Sequence, residues 1–159
     1  MLRGEFYGRV LTGLRGDLGR TGRYAVLYVD VDDMKAVNDA YGHLVGDRVL
    51  LAVEAFVTTV AGTSGVVTHF TSDEFVAVFP LWDADYPVGR ARIDCEGIPI
   101  SLSIGSAEGD ARYPDAFGAA LDRARRSLTS PRDAPRRDRR WTRHLWRRPG
   151  RPHRRLASH

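Results

Sequence analysis

Up to about residue 130 the chain divides into segments of contrasting apolar period. Tyr24-Ala-Val-Leu-Tyr-Val29 is an almost unbroken apolar run, the pattern of a strand covered on both faces. It stops in acid, at Asp30-Val-Asp32-Asp33. Across 46–60 the residues Val49, Leu50, Val53, Phe56, Val57 and Val60 recur at helical spacing, and Asp47 near the start predicts an N-terminal cap. Val66-Val-Thr-His-Phe70 and Glu74-Phe-Val-Ala-Val-Phe79 read as strands, and the short connection Thr71-Ser-Asp73 suits a hairpin. Ile98-Pro-Ile-Ser-Leu-Ser-Ile104 alternates as a further strand, and 114–129 carries Phe117, Leu121, Ala124 and Leu128 on one helical stripe. This order predicts an α/β fold: a mixed β-sheet with flanking helices on one face and a β-hairpin at one end.

Charge divides the 159 residues into two parts. Residues 131–159 hold eleven arginines, two aspartates and four prolines, so the remaining 1–130 carry five more acids than bases. A segment so poor in apolar periodicity cannot offset its ordering entropy, and it is expected to be a disordered Arg/Pro-rich tail after a single domain at 1–130. Its arginines, with Trp141 and Trp146 among them, are of the kind that contact nucleic acid or an anionic membrane, although a solvated tail is the simpler reading. One cysteine, Cys95, rules out a disulfide framework and a multi-cysteine zinc site. No apolar run approaches the ~20 residues that span a bilayer, and no signal peptide is visible, so a cytoplasmic location is expected.

The acids after the first strand carry the candidate chemistry. Three carboxylates within four positions repel one another unless a cation or solvent neutralises them. The spacing resembles the start of a calcium loop, but Lys35 stands where such a loop needs glycine. Magnesium, or manganese in its place, fits better, because it takes one or two carboxylates and leaves its other positions to water and phosphate. Asp73-Glu74 at the hairpin supplies a second acidic pair that could meet the first. Each cluster alone could equally be solvated turn acids.

In one register these residues, Asp30-Val-Asp-Asp-Met-Lys35-Ala-Val-Asn38-Asp39-Ala-Tyr-Gly42-His43-Leu-Val-Gly46-Asp47, resemble the GGDEF family of diguanylate cyclases. The likeness extends through Thr71-Ser-Asp-Glu-Phe75 at the signature hairpin, Ser101-Leu-Ser-Ile-Gly105, Ala120-Leu-Asp-Arg-Ala124, and Leu11-Thr-Gly-Leu14 near the start. It implies a nucleotidyl-cyclase palm-like fold in which two GTP-loaded copies face each other to make cyclic di-GMP. Asp30, the Val31 carbonyl and Asp73 would hold the metal ion, with Asp73 and Glu74 as the catalytic acids. Asn38 and Asp47 would read guanine, and Lys35 and Arg125 would bind phosphate.

Several positions depart from the family pattern. Met34 replaces a phenylalanine, and Thr71-Ser72 stand where the family has two glycines. His69 and Thr129 stand at positions of arginines, Arg125 at that of a lysine, and Gly62-Thr-Ser-Gly65 replaces the product-inhibition site. Left-handed backbone at Thr71 or Ser72 would cost about 1–2 kcal/mol each, so a displaced hairpin is expected. The interval between Phe79 and Ile98 is too short for the helix the family inserts there, and the first helix is expected to be cut short, with 15–23 only a glycine-rich link. The resulting expectation is a trimmed domain that binds GTP, is weakly active or inactive, and signals through a homodimer or a protein partner. Two other readings remain open: a haloacid-dehalogenase-like phosphatase using Asp30, and a nucleic-acid-binding protein acting through the tail.

Overall fold

The computed structural model describes residues 3–81 and 85–128, so the reading of 131–159 as a disordered tail, and Thr129, lie outside the described residues. The chain runs α1 (Arg3–Leu14), β1 (Arg23–Val31), α2 (Met34–Tyr41), α3 (His43–Ala61), β2 (Val66–His69), β3 (Glu74–Pro80), β4 (Gly89–Cys95), β5 (Ile98–Asp110) and α4 (Phe117–Arg126). The strands form one sheet in the order β2-β3-β1-β5-β4.

β1 is central because it is apolar on both sides. Ala25, Leu27, Val29 and Val31 face a core shared with Val49, Val53, Phe56 and Val57 of α3. Tyr24, Val26 and Tyr28 face the other way, into a core with Phe6 and Val10 of α1 and Phe117, Leu121 and Ala124 of α4. Two-sided burial is what an unbroken apolar run demands. It also corrects the expectation of helices on one face: α3 covers one side, α1 and α4 the other. At Gly105 a methyl would meet the Ala124 carbonyl oxygen at 2.1 Å, so α4 lies directly on the backbone of β5.

Every strand pairing among the described residues is antiparallel, where a mixed sheet was expected. The β1–α3–β2 crossover does return a strand parallel to β1, but β3 sits between the two and runs opposite to both. The β2–β3 hairpin is as anticipated, with His69 opposite Phe75. β4 went unseen because Gly-Arg-Ala-Arg-Ile-Asp-Cys is an edge strand that buries only Ile93 and Cys95. α1 is a helix of 12 residues despite Gly4, Gly8 and Gly13, because Phe6, Val10 and Leu14 recur every fourth position and are all buried. The link after it is more than a glycine-rich spacer, since a 3-10 turn at Asp17–Gly19 buries Leu18. No helix of the described residues is long and apolar enough to cross a membrane.

Candidate functional site

The acidic turn lies at the end of the central strand, where alternation sends neighbouring residues to opposite faces. Asp30 therefore falls on the Tyr28 side, directly across from Glu74 of β3 and Ser103 of β5. The Val31 amide donates to the Asp73 carbonyl at 2.9 Å, which fastens the hairpin to the end of β1. Burial, followed by the carboxylates of Asp73, Glu74 and Asp32, pushes the Asp30 carboxyl up to about 6. The two acidic segments thus lie together at neighbouring strand ends.

Asp32 is held differently. Its carboxylate accepts from Ser103 Oγ at 2.7 Å and from Arg90 at 2.5 Å, and its side chain is 8% exposed. Arg90 belongs to an edge strand that no alternation revealed, and Ser103, on a strand that was expected, meets Asp32 only through the register of β5 beside β1. Asp33 takes a left-handed conformation, φ 53°, which aspartate tolerates better than most residues and which turns the chain from β1 into α2.

α2 follows directly and carries Asn38 and Asp39 on a helix. Its first residues and the start of α3 line a cavity of about 520 Å³ with Lys35, Asn38, His43, Asp47, Ser72 and Asp73 among its walls. α3 begins at His43 after Gly42, so Asp47 lies one turn inside the helix and is not its cap. That frees its carboxylate to face the cavity. Gly46 is buried, and a methyl there would stand 1.9 Å from Asn38 Oδ1; the missing side chain makes room for the Asn38 amide. Lys35 pairs with Asp39 at 2.9 Å across one helical turn, both well exposed.

Of the expected site residues, Lys35, Asn38, Asp47 and Asp73 line one cavity. Asp30 and Glu74 stand at the adjoining strand ends, joined to it through Asp73. Arg125 does not line the cavity; its guanidinium carbon lies 6.0 Å from the centre of the Tyr28 ring, on the α4 side.

The hairpin bends without left-handed backbone at Thr71 or Ser72, since the only non-glycine residues with positive φ among those described are Asp33 and Glu96. The strain expected there is absent. The Glu74 carbonyl accepts from the Phe70 and Thr71 amides, and the Glu74 carboxylate accepts from Thr71 Oγ1 at 2.7 Å and the Tyr28 hydroxyl at 3.0 Å. Burial and that bond push the Tyr28 phenol up to about 12. His69 stacks on Phe75 with ring centres 4.4 Å apart, and its Nε2 lies 3.2 Å from the Ser72 carbonyl oxygen. Among the described residues no three His, Cys, Asp or Glu side chains gather closely enough to hold a metal ion unaided.

This architecture has known counterparts. It is similar to the GGDEF domain of PA1120 (TpbB or YfiN) from Pseudomonas aeruginosa, at 26% identity and a TM-score of 0.56, over 78% of this chain and 83% of that one. The fold is also that of the active GGEEF domain of a diguanylate cyclase from Vibrio cholerae, 16% identical with a TM-score of 0.59 over 79% of this chain and 86% of that one. Diguanylate cyclase DgcM of Escherichia coli K12 is 29% identical over 126 residues, which is 79% of this chain and 30% of that protein. The chain thus spans under a third of that relative's length. The family model for the diguanylate cyclase GGDEF domain matches residues 11–137, most of the chain. With that match laid over the convergent acidic turn and hairpin, the chain belongs to the GGDEF family of diguanylate cyclase domains.

Proposed function

We propose that this domain binds GTP together with a divalent cation and has weak or no cyclase turnover of its own. The observation that carries the reading is the single cavity shared by Asn38, Asp47, Lys35 and Asp73. Guanine presents ring and amino N–H donors beside a carbonyl acceptor. The Asp47 carboxylate accepts from the donors, and the Asn38 amide serves either partner. Lys35 places a charge for the phosphates, and Arg125 contributes a second from the α4 side.

The residues present fit magnesium or manganese. Such an ion, already carrying triphosphate oxygens, asks for one or two carboxylates rather than three, and Asp30 and Asp73 with the Val31 carbonyl are a donor set of that kind. Burial first, and then the negative charge of Asp73, Glu74 and Asp32, raises the Asp30 carboxyl, and a cation would relieve the second of these. When bound, the ion would neutralise phosphate charge and lower the pKa of an attacking hydroxyl. Cyclisation requires two loaded copies facing each other, the 3′-hydroxyl of one aligned on the α-phosphate of the other. Side chains at Thr71 and Ser72 crowd the approach that two glycines would leave open, and misalignment of about 1 Å costs roughly a hundredfold in rate. Binding therefore outlasts turnover, and a bound nucleotide serves as a signal to a protein partner.

Calorimetric titration with GTP and magnesium, followed by chromatography of the incubated mixture for cyclic di-GMP, tests both halves. Saturable GTP binding that Asp47→Ala weakens, with little or no dinucleotide formed, is the expected result. No GTP binding overturns the nucleotide reading, and brisk cyclic di-GMP synthesis overturns the assignment of weak turnover.

A further inference from the structure

The residues in place of the two signature glycines are both hydroxylic, and each hydroxyl points to a carboxylate of the motif. Thr71 Oγ1 donates to Glu74 Oε2 at 2.7 Å, and Ser72 Oγ donates to Asp73 Oδ1 at 3.0 Å. The two contacts differ in weight. Ser72 and Asp73 are neighbours, Ser72 is exposed, and Asp73 retains its place on the cavity wall. Glu74 is half-buried, and the same oxygen, Oε2, also accepts from the Tyr28 hydroxyl at 3.0 Å. Tyr28 itself is 1% exposed and fixed in the core between α1, α4 and the sheet, so its hydroxyl cannot follow a moving carboxylate. Charge-assisted bonds of this kind are roughly twice as strong as neutral ones. Glycines at 71 and 72 could supply neither donor.

We propose that Thr71 is a positioning residue that holds Glu74 as an internal acceptor, so that the hairpin offers the divalent cation one free carboxylate, Asp73, where the motif could supply two. This rests on the reading of the acidic cluster as a metal site, and it goes further in adding to the crowding by the two side chains a hydrogen bond that withholds a carboxylate from the ion. The hairpin is unstrained at 71 and 72, so the substitutions act through the bulk of their side chains and through this donor pattern.

Manganese alone, titrated into the full chain and followed by electron paramagnetic resonance of the free ion, reads this out without nucleotide or turnover. Thr71→Val keeps the shape and removes the hydroxyl; it is expected to tighten Mn2+ about tenfold, the equivalent of one hydrogen bond to a charged group. Thr71→Ser keeps the donor and is expected to match the parent chain. Tyr28→Phe is expected to tighten Mn2+ in the same direction, and the gain of Thr71→Val is expected to vanish in a Glu74→Gln background. Unchanged or weaker Mn2+ binding by both Thr71→Val and Tyr28→Phe overturns the proposal. So does a gain that persists without the Glu74 carboxylate, or the absence of Mn2+ binding by every variant. Failure to bind GTP would remove the nucleotide reading and leave this result standing.

Discussion

Gly46→Ala separates fold from recognition at one atom. In a helix interior alanine is favoured over glycine by about 1 kcal/mol, so the substitution taken alone strengthens α3. Against that, the new methyl would lie 1.9 Å from Asn38 Oδ1 and 3.0 Å from both Asn38 Cγ and Met34 Cε. All three belong to side chains at the cavity wall that can rotate away, and no backbone atom blocks the methyl. Relief of the clash costs on the order of 1 kcal/mol in displaced rotamers, which offsets the helix gain. The net change in folding stability is therefore expected to stay within about 1 kcal/mol. Recognition fares differently, because the Asn38 amide no longer occupies the place from which it meets guanine. Leaving a polar group of the base unsatisfied costs about 1–3 kcal/mol, so GTP affinity is expected to fall roughly tenfold or more. Calorimetric titration beside a urea melt measures both quantities on one preparation. In an Asn38→Ala background the further change Gly46→Ala is expected to do nothing more to binding, since contacting residues are not additive. Wild-type affinity in Gly46→Ala, or losses that simply add in the double variant, would refute the reasoning.

Proton linkage at Asp30 gives a second expectation. Its folded-state value of about 6 lies above the ordinary 3.8, so the folded chain holds this proton more tightly than the unfolded chain. Stability from this group is thus full below about 4 and is lost as pH rises through 6, by well under the roughly 3 kcal/mol that the shift alone would carry, because solvent screens a half-buried group. Magnesium is expected to raise the melting temperature more at pH 7.5 than at pH 5, and an equal shift at both would contradict the cluster. Arg90→Ala strands the Asp32 carboxylate at 8% side-chain exposure and is expected to cost about 3 kcal/mol in a urea titration. Arg23→Ala, which breaks a pair with Glu108 whose side chains are 63% and 39% exposed, is expected to cost under about 1 kcal/mol in the same assay. Phe6→Ala removes a fully buried ring that packs edge-on to Tyr7, Phe70 and Phe117, and a loss of about 3–5 kcal/mol is expected by thermal melt.

Where burial is two-sided or regular, the sequence was legible. The run through Val29 announced β1, the spacing of Val49, Val53, Phe56 and Val57 announced α3, and the acids after β1 and in the hairpin marked two segments that lie together. α2 was hidden because it is only eight residues long and none of them is fully buried; its apolar stripe, Met34, Val37 and Tyr41, is too short to mark a helix. β4 was hidden by arginines on an edge, and with it went Arg90 and the grip on Asp32. The cap assigned to Asp47 failed because α3 starts four residues earlier, at His43, after a glycine whose φ of 84° no polar pattern reveals. Thr71 and Ser72 could be recognised as unusual, but where their hydroxyls point depends on the fold of the hairpin.

The end of β1 deals Asp30 to one side of the sheet and Val31 to the other. The layers they join, α1 with α4 on one side and α3 on the other, have separate cores. A molecule gripped by Asp30 and by Asp47 of α3 would work as a rivet through the two halves. Amide exchange would then slow in α3 and α4 together on loading, although neither helix lies on the same side of the sheet as the other. The domain would register occupancy as stiffness across its whole thickness, a property a partner could sense at a surface far from the phosphates.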